Sequence, residues 1–249
     1  PLGCIENDNG DRGFAVPVTD VQIPTVCFSS CIDCIVEIPP LLLNDFSIIE
    51  NATNQGVGAQ WIQYDETANG NNFTYLSQVT SQDLSSLDSP AMLADYSIFG
   101  HESWGGYSGV FDIFENVADL SSYNYLSFKF YNQSPPTGGG SQSISFRAIL
   151  WDISDVSEEY DSREDVETWW AFFAGDDSPF TNDVSDGWVE YRIPLVDNGS
   201  TAQAGYRDGF STFGSSEGVS IFGNDSLDLD KIGGIGIEIV AGGADNTTS

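Results

Sequence analysis

Short segments in which apolar and polar residues alternate, set between turn-forming Gly, Asn, Asp and Ser, decide what this chain can fold into. Leu126-Ser-Phe-Lys-Phe-Tyr131 alternates with the period of two that belongs to a strand buried on one face. Ser143-Ile-Ser-Phe-Arg-Ala-Ile-Leu-Trp151 is similar, and Ile235-Gly-Ile-Glu-Ile-Val240 closes the series. Trp188-Val-Glu-Tyr-Arg-Ile-Pro-Leu195 alternates too, and its proline, with no N–H for a ladder, places it near a strand end or sheet edge. Trp169-Trp-Ala-Phe-Phe173 is apolar on both faces, as in a fully buried strand or a strand end that presents aromatic rings. No helical periodicity lies between these segments, and the low share of Leu, Ala and Lys points the same way. The 249 residues are 40% hydrophobic and 13% aromatic, enough to fill a core, so strands at this spacing predict an all-β, two-sheet antiparallel sandwich. No apolar run approaches the roughly 18 residues of a membrane span, and insertion into a membrane is not expected.

Residues 1–40 are of a different kind. All four cysteines lie there, at Cys4, Cys27, Cys31 and Cys34, with five of the ten prolines. Phe14-Ala-Val-Pro-Val and Val21-Gln-Ile-Pro-Thr-Val read as extended or edge-strand segments. This stretch is too short for a core of its own, so an extended, Cys-rich N-terminal arm is expected over 1–40, with the sandwich over 41–249. An even cysteine count in a secreted chain predicts two disulfides, with three pairings open; a four-thiolate zinc site is the alternative.

Several segments, in order, resemble the jelly-roll, galactose-binding-like carbohydrate-binding modules of secreted Bacteroidota-type proteins. Asn44-Asp-Phe-Ser-Ile and Trp61-Ile-Gln-Tyr-Asp are similar to their opening strands, and Trp104-Gly-Gly-Tyr-Ser-Gly-Val110 to the glycine-rich strand that follows. Asp119-Leu-Ser-Ser-Tyr-Asn-Tyr-Leu-Ser-Phe128 resembles their turn-then-strand entry, in which a short polar side chain bonds nearby backbone and the Leu caps the core. Asp186-Gly-Trp-Val-Glu-Tyr-Arg-Ile-Pro-Leu195 and Leu227-Asp-Leu-Asp-Lys-Ile-Gly-Gly-Ile235 resemble the two late strands. The likeness covers roughly 41–243 and implies a jelly-roll sandwich; it implies fold more firmly than function, since jelly-roll relatives include glycan binders, spacers and assembly subunits.

The formal net charge of −31, from 38 acidic and 7 basic residues, rules out nucleic acid and anionic membranes as natural partners, because both are held by Lys and Arg. Sequons at Asn51, Asn72, Asn132, Asn198, Asn224 and Asn246 are candidate glycosylation sites and fit an extracellular, secreted or cell-surface address.

Catalysis is not expected. The only histidine is His101, with no Gly-x-Ser-x-Gly elbow beside it, and carboxylate pairs carry no specificity among so many acids. For metal, Asp152, Asp155, Glu158 and Asp161 sit in an acidic run that either holds a structural Ca²⁺ with hard oxygen ligands or is a solvated loop. For glycans, Trp169 and Trp170 beside Glu167, and Tyr206-Arg207-Asp208, combine ring planes that stack on sugar C–H faces with groups that bond hydroxyls; the competing role for the tryptophans is core packing.

Two functions of different class fit. The leading one is a non-catalytic extracellular structural subunit whose arm, lacking a sheet of its own, completes that of another copy to build a surface fibre or coat. The other is a cell-surface or secreted glycan-binding module, with polysaccharide as partner.

Overall fold

The computed structural model describes residues 4–6, 12–18, 21–27, 34–35, 38–44, 58–65, 73–79, 91–97, 106–132, 144–154, 156, 159–160, 165–182, 186–199, 205–212 and 223–241. They fall in two compact units, Pro1–Leu41 and Leu42–Ser249.

The first unit holds four strands, β1 (Cys4–Glu6), β2 (Arg12–Val18), β3 (Val21–Cys27) and β4 (Cys34–Ile35). They form one antiparallel sheet in the order β1-β2-β3-β4. This corrects the expectation of an extended arm without a sheet of its own: each strand finds its partner within the unit. The prolines show how. Pro17 pairs with Gln22 and Pro24 with Ala15, whereas β1 reaches only Arg12–Phe14 of β2 and β4 only Val26–Cys27 of β3. Among the described residues, both prolines therefore lie where β2 and β3 have no second neighbour in the sheet, the position a residue without an N–H tolerates.

The second unit contains β5 (Gly58–Asp65), β6 (Phe73–Val79), β7 (Ala91–Ser97), β8 (Gly106–Ala118), β9 (Tyr125–Phe130), β10 (Ile144–Asp152), β11 (Glu167–Phe173), β12 (Val189–Pro194) and β13 (Ile232–Ala241). A five-stranded antiparallel sheet runs β11-β10-β13-β8-β5, with two-stranded ribbons β12-β9 and β6-β7. Helix among the described residues is limited to short 3-10 turns such as Pro179–Thr181 and Tyr206–Asp208.

The alternation read in β9 and β12 is realised in space. Phe128 turns inward to meet Phe146 at 5.6 Å and Phe173 at 5.8 Å, and it stacks on Tyr191 of β12 at 5.6 Å. Ile193, Trp169, Leu150 and Ile239 complete this core between the ribbon and the five-stranded sheet. The turn leading into β9 is tied as its sequence suggests: Asp119 Oδ1 accepts from the Ser121 amide at 2.9 Å and its hydroxyl at 2.6 Å. Leu120 is buried in the core behind it, its amide donating to the Leu229 carbonyl at 2.7 Å.

A second apolar cluster covers the opposite face of the sheet. It joins Phe111, Ile149, Trp151, Val166, Trp170 and Phe172, with Ile153, Val156 and Tyr160 packed against them. Phe111 lies against Trp151 at 4.0 Å, directly across from Gly236. A β-carbon at 236 would overlap the Phe111 ring, so glycine is what lets the ring lie down on β13. Gly236→Ala is therefore expected to destabilise the fold by about 1–3 kcal/mol through overpacking; urea denaturation of the two proteins measures it.

Candidate functional site

The residues expected to carry glycan contacts are all described, and the structure places them mostly inside. Trp169 and Trp170 are 1% and 2% exposed, one in each cluster, because β11 is covered on both faces. Neither ring can meet a sugar, and core packing is their role. Glu167 is buried on the same strand. Tyr206 is buried too, stacked on Phe173 at 4.1 Å with planes 8° apart. Only Arg207 and Asp208 face solvent, and the Arg207 guanidinium lies over the Tyr206 ring while donating to Asp177 Oδ1 at 2.7 Å.

Charges on the covered face of the sheet are paired. Arg147 on β10 stands opposite Glu238 on β13 and forms an ion pair with it, its guanidinium 4.8 Å from the Phe172 ring centroid. Glu238 is fully buried, so this pair neutralises a charge held away from water.

Asp152 and Glu167, opposite one another on β10 and β11, serve a loop. Asp152 accepts the Ser154 amide at 2.9 Å and the Asp228 amide at 2.6 Å. Glu167 accepts the amides of Asp225 at 2.9 Å and Asn224 at 3.4 Å. Gly223, at φ +138°, runs so close over Glu167 that a β-carbon there would overlap the carboxyl. Burial pushes the Asp152 carboxyl above its usual range. Burial, with the neighbouring Asp152 charge, raises Glu167 to about 7. Of the four residues expected to hold calcium, Asp152 alone is described; Asp155, Glu158 and Asp161 lie outside the described residues, as does His101. Among the described residues no three His, Cys, Asp or Glu side chains gather to hold a metal ion. Asp152 spends its oxygens on backbone amides.

The sequon at Asn132 is closed. Its side chain is buried and donates to the carbonyls of Phe180 at 3.1 Å and Asn182 at 3.0 Å, leaving no room for a glycan on the folded chain. Asn224 is exposed, Asn198 is half-buried, and Asn51, Asn72 and Asn246 lie outside the described residues.

An exposed aromatic and polar surface does exist, on the outward side of the β9–β12 ribbon. Tyr125 pairs with Pro194, Ser127 with Arg192 and Lys129 with Glu190, and five of these six residues face solvent, with Pro194 partly covered. Tyr125 is 57% exposed. At the other end Tyr131 and Trp188 sit ring to ring at 5.5 Å, both half-buried. Between them Arg192 Nε donates to Glu190 Oε1 at 2.8 Å. The signal was in the alternation: the phase that buries Leu126, Phe128 and Phe130 turns Tyr125, Ser127, Lys129 and Tyr131 outward.

Two outcomes follow from the buried charges. Arg147→Met takes the arginine away from the fully buried Glu238 carboxylate, and is expected to destabilise the fold by about 3 kcal/mol in chemical denaturation. Glu167 holds its proton more tightly folded than unfolded, so between its unfolded value near 4.5 and about 7 the native state binds more protons. Its contribution to stability is then greatest below that window and is lost as pH rises through it. In Glu167→Gln the fall in urea midpoint from pH 5 to pH 8 should be smaller than in the parent; an equal fall would contradict this assignment.

No family model matches the chain, and no curated protein does. Among solved structures, the family 11 carbohydrate-binding module from Clostridium thermocellum, in complex with a beta-1,3-1,4-mixed-linked tetrasaccharide, is similar at 18% identity over 81% of this chain and 91% of that one, with a TM-score of 0.43. The family 11 module of the cellulosomal cellulase Lic26A-Cel5E of Clostridium thermocellum is similar at 17% identity over 80% and 89%, with a TM-score of 0.41.

Proposed function

We propose that this chain is a non-catalytic, extracellular glycan-binding β-sandwich that holds an extended, uncharged polysaccharide along the outward side of β9 and β12. The observation that carries this reading is the row of Tyr125, Ser127, Lys129, Tyr131, Trp188, Glu190 and Arg192 on one solvent-facing surface. Aromatic planes at both ends offer stacking faces to sugar C–H surfaces, and Lys129, Arg192, Glu190 and Ser127 offer donors and acceptors to hydroxyls. From Tyr125 to Tyr131 a strand advances by roughly 20 Å, the length of about four pyranose units. The fibre-subunit reading, the leading one from sequence, rested on an arm without a sheet, and the pairing of β1 to β4 among themselves removes that support.

Affinity electrophoresis and calorimetry against neutral polysaccharides, mixed-linked β-1,3-1,4-glucan among them, test the proposal. Binding should fall about tenfold or more, equivalent to about 1.4 kcal/mol, in Trp188→Ala and in Tyr125→Ala. Arg207→Ala, whose guanidinium is tied to Asp177 and does not belong to the outward row, should leave it unchanged. Binding that survives both ribbon substitutions, or no binding across the panel, would overturn the assignment.

A further inference from the structure

The three pairings that four cysteines allow are not equally open to a chain with this strand order. Cys27 ends β3 and Cys34 opens β4, and the two stand directly opposite in the antiparallel ladder. Opposite residues in such a ladder hold their Cα atoms about 4.5–5.5 Å apart. A disulfide spans about 4.4–6.8 Å between Cα atoms, so either kind of antiparallel position accommodates one.

Cys4 is placed elsewhere. It lies on β1 opposite Phe14, and Phe14 in turn stands opposite Thr25 of β3. Two interstrand steps separate β1 from β3 and three separate it from β4, which is about 10 Å and about 14 Å at the usual sheet spacing. The offset from Thr25 to Cys27 adds roughly 7 Å along the strand. Both separations exceed the roughly 7 Å beyond which cysteines cannot be bridged without moving backbone.

We propose that a disulfide joins Cys27 and Cys34 across β3 and β4, and that Cys4 is bonded to neither. The same spacing removes the zinc alternative. Thiolates about 2.3 Å from one zinc ion draw their Cα atoms within roughly 10 Å of each other, closer than Cys4 comes to Cys34. The bond also explains how β4 is held. Its ladder is two residues long, too short to be stable on hydrogen bonds alone. The bond forms as the two thiols lose their protons and pass two electrons to the disulfide of an exchange partner, which leaves as two thiols.

Peptide mapping by mass spectrometry tests this on the full chain, purified without reductant and alkylated to block free thiols. Chymotrypsin cuts after Phe28 and an Asp-specific protease before Asp33, which separates Cys27, Cys31 and Cys34 onto different fragments. The expected product is a fragment ending at Phe28 joined to one beginning at Asp33, which disappears on reduction. In Cys27→Ser, Cys34 should become available to alkylation while the fragment carrying Cys4 is unchanged. A link from Cys4 to Cys27 or Cys34, a link from either to Cys31, or alkylated Cys27 and Cys34 in the parent would each overturn the assignment. The parent map stands whether or not the variant folds.

Discussion

β10 and β11 carry apolar side chains in both directions, so the five-stranded sheet they anchor needs cover on two sides. The β9–β12 ribbon supplies it on one, through Phe128 against Phe146 and Phe173. Ile153, Val156 and Tyr160 contribute to it on the other. Once both faces are closed, a charged group buried on the sheet has to be neutralised or bonded in place. Arg147 and Glu238 do this with each other. Asp152 and Glu167 do it by taking up backbone amides of the segment that leads into β13. The buried acids belong to the cost of covering the sheet twice.

That double cover also decides where a ligand can be met. An aromatic sheet face lined by Trp151, Trp170, Phe172 and Phe111 has the composition of a sugar platform, yet these rings are all buried. The ribbon is different because only one of its sides is used in packing. Its inward phase is consumed by the core, and its outward phase keeps Tyr125, Lys129, Glu190 and Arg192 in water. Rigidity comes from the inward residues, so the outward ones are displayed on a fixed backbone rather than on a loop.

The strands and their phase were legible in the sequence because alternation is a local property, and β9, β10, β12 and β13 lie where it placed them. What lies on the far side of a strand is not local. Trp169 and Trp170 point opposite ways whatever the fold, and only the presence of a second covering layer makes both of them core. Glu167 and Asp152 were visible as members of an acidic run, but their meeting depends on β10–β11 register, which no neighbour in sequence reports. The arm failed for the opposite reason. Its strands were recognisable, yet the pairing of short β1 and β4 at the ends of β2 and β3 left the prolines tolerable in a way that composition could not reveal. Tyr125 and Tyr131 stand on the outward phase that the alternation defines, whereas the conspicuous Trp169-Trp170 pair sits on a strand covered on both faces.

A net charge of −31 looks hostile to any ligand surface, but it is a property of the whole chain and not of the ribbon. Arg147 and Arg207 are tied to Glu238 and Asp177. On the ribbon itself Lys129 and Arg192 face Glu190, so the surface is locally close to balanced while the chain as a whole is strongly acidic. Such an arrangement repels polyanions at long range and leaves short-range donors and acceptors in equal supply. A polymer of uncharged hydroxylated rings asks for that combination: it brings no charge to be repelled, and each of its hydroxyls both gives and takes a hydrogen bond. The excess of acid over the whole chain is therefore compatible with the uncharged partner proposed above.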